Sequence, residues 1–130
     1  MEAEIILLDT SMLIDFYRKK DKRKTKFWSL SNEHIVFSVS AITHFEIYAS
    51  LKGEQKTFWD NLFHDLIILP VNIDVSLQAV KIDADLKKAR KQIAVPDLFI
   101  AATAVTNKLR CATLNKKHFE RVNGLMLVEH

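Results

Sequence analysis

Three acids occupy places where an acid is hard to explain as ordinary surface. Asp9 directly follows the apolar run 5–8, Glu46 sits between Phe45 and Ile47-Tyr48, and Asp97 lies between Val95-Pro96 and Leu98-Phe99-Ile100. Asn115 and His118 follow another largely apolar run, 111–114. Carboxylates gathered in a partly buried setting repel one another by on the order of several kcal/mol, so the arrangement makes sense around a cation. Hard oxygen ligands suit Mg²⁺ or Mn²⁺, which keep waters and accept phosphate oxygens. Each residue also has an ordinary reading. Asp9 reads as a helix N-cap, Asp97 as a first-turn acid favoured by the helix dipole, and Glu46 as a solvated helix position. His118, beside Lys116 and Lys117, reads singly as an exposed turn residue. No one of them decides the matter; their convergence on one rim does.

That convergence depends on the elements that carry them. The run 5–8 suits a strand buried on both faces, and Asp9-Thr10-Ser11 are good N-cap types before a helical pattern at Met12, Ile14 and Phe16. Residues 18–26 are strongly basic and read as a mobile loop; a short helical piece follows at Phe27, Trp28 and Leu30. A second strand is expected at 35–37, ending through 38–40. A helix capped by Ser40 then carries Ile42, Phe45, Ile47, Tyr48 and Leu51 and stops near Gly53. Phe58, Trp59, Leu62, Phe63 and Leu66 form an amphipathic stripe. Residues 67–71, with Pro70, read as an edge strand. A helix at 75–91 is expected to turn Leu77, Val80, Ala84 and Leu86 inward. The helix at 97–108 is apolar nearly all round and must be buried, its Ala101, Ala102 and Ala104 allowing close approach to a sheet. A strand at 111–114, a polar turn at 115–118 and a last strand at 125–128 complete the chain. Strands alternating with helices argue for crossover units, a largely parallel sheet, and chemistry beyond the C-terminal strand ends.

Composition narrows the choice of chemistry. The 130 residues are 48% hydrophobic and 27% charged, and include only two Gly and two Pro. Gly53 and Gly124 stand far apart, so neither a Walker loop nor a dinucleotide fingerprint can be built. The single cysteine, Cys111, excludes an internal disulfide and a cysteine zinc site, and its apolar strand setting argues against catalysis. The acidic opening MEAEIILLDT does not read as a signal peptide, and no apolar run approaches the roughly 18 residues of a membrane span. A reduced, cytoplasmic protein without membrane contact is expected. Net charge +3 is a mild bias toward polyanions. Lys22, Arg23 and Lys24, with Lys116 and Lys117, are the candidate contacts to such a polyanion.

The segments LLDTSMLIDF (7–16), SVSAITHFEIYA (38–49), VPDLFIAATA (95–104) and ATLNKKHFERV (112–122) together resemble the PIN-domain ribonucleases, specifically the VapC-type toxins of type II toxin–antitoxin pairs. The likeness runs over nearly the whole chain in order and spacing. It implies a single PIN domain over 1–130: an α/β, three-layer fold whose mostly parallel central sheet of four to five strands is flanked by helices. It also implies that Asp9, Glu46 and Asp97 are the acidic catalytic residues of a Mg²⁺- or Mn²⁺-dependent endoribonuclease, with Asp9 and Asp97 holding the metal. Thr10, Ser11 and Thr43 match the family's small polar positions, and Asn115 and His118 would support the site. Where many members carry a fourth acid, this chain has Asn115, so a one-metal site, or a second ion recruited only with RNA, is expected. The implied partners are RNA, a cognate antitoxin and a second copy in a homodimer. The competing readings are a housekeeping RNA-processing PIN nuclease and a non-catalytic domain that binds RNA or protein. Haloacid-dehalogenase chemistry is disfavoured because Ser11 stands where a second acid is needed.

Overall fold

The apolar run after the N-terminus becomes the middle of a parallel sheet. The computed structural model describes residues 2–129. In it β1 (Glu4–Leu8) lies between β2 (Ile35–Ser40) and β4 (Arg110–Ala112), with β3 (Ile67–Leu69) outside β2. All three pairings are parallel. Ile6, Leu7 and Leu8 are wholly buried, as a central strand covered on both faces requires. The helices are α1 (Thr10–Arg18), α2 (Lys26–Ser31), α3 (Ala41–Ala49), α4 (Gln55–His64), α5 (Ile73–Lys88), α6 (Val95–Thr106) and the short α7 (Lys116–Phe119).

The alternation of β1 side chains divides the core in two. Leu7 packs with Val75, Ile82, Ile100 and Phe119, so α5, α6 and α7 cover one face. Ile6 and Leu8 pack with Met12, Leu13, Trp59 and Phe63 on the other, under α1 and α4. This is the expected three-layer α/β arrangement, with four strands, all parallel. The small residues of α6 do what their size allows: Ala101, Ala102 and Ala104 are fully buried.

Several local expectations change. Residues 125–128 form no strand; Leu127 makes one isolated bridge to Cys111, held by bonds from Cys111 N to Met126 O and from Val128 N to Cys111 O. The polar stretch at 115–118 is not a simple turn but leads into α7. In α5 the inward residues are Val75, Ala79, Ile82 and Leu86, whereas Leu77, Val80 and Ala84 face outward. Both faces of that helix carry an apolar stripe at helical spacing, so periodicity alone does not choose between them. Trp59 and Phe63 are buried and Trp28 is half exposed.

The basic segment is also more structured than a mobile loop. It folds into a 3₁₀ turn at Lys22–Lys24, and the buried Thr25 caps α2 by accepting from Trp28 N. The Lys22 ammonium donates to the carbonyls of Phe16, Tyr17 and Lys19 at 2.7, 2.9 and 3.0 Å. It lies over the rings of Phe16, Tyr17 and Phe58 as well. Lys22 therefore terminates α1, supplying donors to carbonyls that a helix end leaves unpaired. With all three ammonium protons committed, it does not present the free cation expected of it. Of the three cations in this 3₁₀ turn, Arg23 and Lys24 are exposed, Arg23 paired with Asp21.

Candidate active site

The strand order places the site. From β1 the chain crosses to β2 and β3 on one side, then returns to add β4 on the other. The switch point therefore lies between β1 and β4, where Leu8 pairs with Ala112. Asp9 and Thr113 are the next residues of the two strands, so they emerge together at the C-terminal edge.

Asp9 is only 3% exposed, and three donors hold its carboxylate. Its Oδ1 accepts from the Ser11 hydroxyl at 2.6 Å and from Met12 N at 3.3 Å; its Oδ2 accepts from the Thr113 hydroxyl at 2.7 Å. Both hydroxyls are themselves fixed from behind. Ser11 Oγ accepts from Leu114 N at 3.1 Å, and Thr113 Oγ1 accepts from Asn115 N at 2.8 Å. Those backbone donors occupy the acceptor side of each hydroxyl and leave its proton for Asp9. The N-cap reading is thus realised, yet capping uses only the bond from Met12 N and leaves both hydroxyl bonds to be explained. Sequence reasoning missed Thr113; its only signal was its place between the strand 111–112 and Asn115.

Glu46 joins this group through Thr10. The Thr10 hydroxyl donates to Glu46 Oε1 at 2.7 Å and lies 3.0 Å from the hydroxyl of Thr43, which is fully buried one turn earlier on α3. Ser40 caps α3 as expected, its Oγ accepting from Ile42 N at 3.1 Å, and so sets where Glu46 falls. Asp97 stands in the first turn of α6, whose N-cap, Ala94, makes no side-chain capping bond. Its carboxylate is not used as a cap. It faces His118, with Nδ1 of His118 3.9 Å from Oδ2, and His118 Nδ1 is 2.8 Å from Asn115 Nδ2. Lys116 lies 3.8 Å from Glu129, and Lys117 is exposed.

Burial dominates the electrostatics of the two acids. Burial raises the pKa of Asp9 most; the bonds from Ser11, Thr113 and Met12 oppose that, and the charge of Asp97 adds to it. Burial also raises Asp97, with His118 opposing. The buried Cys111 thiol is pushed well above its ordinary value by burial and then by the charges of Asp9 and Asp97. Two acids whose charged forms burial disfavours, in a setting of carboxylates and hydroxyls, form a hard-oxygen donor set that a divalent cation fits. Among the described residues no three His, Cys, Asp or Glu side chains stand together closely enough to enclose an ion.

A parallel sheet with acids converging at its switch point defines a class of domain, and the comparisons place the chain in it. A family-wide profile described as PIN domain matches residues 6–125, and the chain belongs to that family. It is similar to Ribonuclease VapC1 of Methanocaldococcus jannaschii, 33% identical over 122 residues that span 93% of this chain and 83% of the relative. Ribonuclease VapC of Rickettsia bellii is 32% identical over 125 residues, 92% of each chain. Among solved structures, VapBC-1 from nontypeable Haemophilus influenzae superposes with a TM-score of 0.80 at 26% identity, covering 96% of this chain and 97% of the other.

Proposed function

We propose that the protein is a divalent-metal-dependent endoribonuclease, the toxin of a toxin–antitoxin pair. The observation that carries this reading is the buried Asp9 carboxylate, held by three donors of which only Met12 N belongs to the helix cap. A mere helix cap needs neither hydroxyl bond. The Ribonuclease VapC relatives support the RNA substrate, and the likeness to VapBC-1 supports an antitoxin partner.

Asp9 and Asp97 would hold one Mg²⁺ or Mn²⁺, directly or through water. Bound there, the ion supplies a Lewis acid to the scissile phosphate and neutralises charge that builds on its oxygens. Glu46 orients the attacking water and takes its proton; Thr10 holds Oε1, which leaves Oε2 for that task. Ser11 and Thr113 keep Asp9 in one orientation. Asn115 adds no charge in the fourth position, which favours a single ion, and its contact with His118 positions the imidazole beside Asp97. Arg23, Lys24, Lys116 and Lys117 supply cations for the RNA backbone.

A homodimer is supported by α5. Ile73, Leu77 and Val80 are 74%, 63% and 65% exposed at spacings of four and three, and Val95 of α6 is exposed at 63%. Such a stripe suits a second copy of the same helix packed against it. The ribonuclease reading is tested by incubating a defined RNA with the protein. Cleavage abolished by EDTA, restored by Mg²⁺ or Mn²⁺ and lost in Asp97→Asn supports it; full activity of Asp97→Asn refutes the site.

A further inference from the structure

We propose that Lys91, Lys117 and Arg121 form a second phosphate-binding subsite, which receives the RNA backbone just beyond the scissile phosphate. The inference rests on the ribonuclease reading and deepens it. These three side chains, with Glu120, line an open cleft of about 470 Å³ between α7 and the segment joining α5 to α6. All four lining residues are charged, three of them cationic. A peptide would find no apolar anchor here, whereas a polyanion meets a net positive wall.

Both walls are fixed. On one side α5 ends with Arg90 in the left-handed region (φ 55°), and Lys91 N bonds to Leu86 O at 2.9 Å. That six-to-one bond closes the helix end and sets the position of Lys91. On the other side, Phe119 and Val122 are buried in the core. Lys117 lies on α7 and Arg121 just beyond its C-cap, Glu120, and both line the cleft. The Arg121 guanidinium donates from Nη1 to Gln92 O at 3.1 Å, which ties the two walls together. Its remaining donors keep the fork that matches phosphate oxygens.

Both walls lead along the chain toward the acids. Lys117 precedes His118, whose ring faces Asp97, and Gln92 lies five residues before Asp97. On the proposed reading, an RNA strand with its scissile phosphate at Asp9 and Asp97 would reach this cleft by continuing along α7.

The test uses Asp97→Asn protein, a fluorescein-labelled single-stranded RNA 12-mer and binding anisotropy across a salt series. Adding Lys91→Gln, Lys117→Gln and Arg121→Gln is expected to weaken binding at low salt about tenfold. The log–log salt slope is expected to flatten by about 0.7 for each phosphate that the variant no longer neutralises. The Lys91→Gln/Lys117→Gln double variant, which keeps the Arg121–Gln92 bond, is expected to shift partway, and Lys56→Gln on α4 not at all. In the otherwise native protein the same changes are expected to raise KM while kcat holds. An unchanged slope and KM in a protein that cleaves RNA overturns the subsite. So does an equal loss of affinity in the Lys56→Gln protein. Absence of RNA cleavage by the wild type under any divalent ion instead overturns the ribonuclease reading.

Discussion

Asp9 performs two tasks with one carboxylate. Its Oδ1 caps α1 while the pair of hydroxyls from Ser11 and Thr113 holds it at the sheet edge. The sequence shows the cap and the acid equally well, because a strand followed by Asp-Thr-Ser is legible locally. Thr113 is not legible, since a Thr ending a strand has an ordinary reading and its partner lies 104 residues away. Thr113→Val leaves Asp9 Oδ2 without a donor and Asn115 N without an acceptor. Calorimetry is expected to show a loss of about 1–3 kcal/mol, with activity falling as well. Asp97 gives a pH signature. Its folded pKa is raised, so the native state keeps a proton that the unfolded chain has released, and stability falls as pH rises from the ordinary value of 3.8 through the folded one. In metal-free protein, Asp97→Asn is expected to melt higher than wild type near pH 7 and equally below pH 3.8. A constant offset across that range contradicts the shift.

At the scale of elements, α5 and the turn after α1 are the hardest to read. An α5 with two apolar stripes satisfies helical periodicity twice, and only the packing of Val75, Ala79, Ile82 and Leu86 against the core shows which stripe is inward. The outward stripe gives a direct prediction. Leu77→Glu/Val80→Lys is expected to convert a dimer to a monomer by light scattering, with little loss of monomer stability because both positions are exposed. A buried-core disruption would instead lower the melting temperature sharply. The turn after α1 is hidden because a run of cations looks solvated, while the carbonyls that hold Lys22 come from backbone and leave no mark in the sequence. Lys22→Met is expected to cost about 1–3 kcal/mol in denaturant unfolding. Its RNA-binding salt slope is expected to match wild type, whereas Arg23→Gln/Lys24→Gln flattens the slope without destabilising the fold.

For the whole molecule, the topology does the assembling. Strand order β3-β2-β1-β4 sets Asp9 beside the end of β4, and α3 and α6 bring their acids in from the flanking layers. The alternation of strands and helices makes that architecture legible, because each crossover in a parallel sheet needs a helix. The four segments 7–16, 38–49, 95–104 and 112–122 then carry the family. What stays hidden is tertiary: the relays behind Ser11 and Thr113, the Arg121 tie, and the choice of face on α5. Among the described residues no helix is long and apolar enough to cross a membrane. The central claim is that water, activated at Asp9, Glu46 and Asp97, hydrolyses an RNA phosphodiester. The measurement that addresses it most directly is mass analysis of the ends formed when a defined RNA is cleaved in ¹⁸O-labelled water with Mg²⁺. One solvent oxygen is expected in the new phosphomonoester, formed by the wild type and not by Glu46→Gln or Asp97→Asn. A 2′,3′-cyclic phosphate end, or the same products from either variant at the wild-type rate, contradicts it.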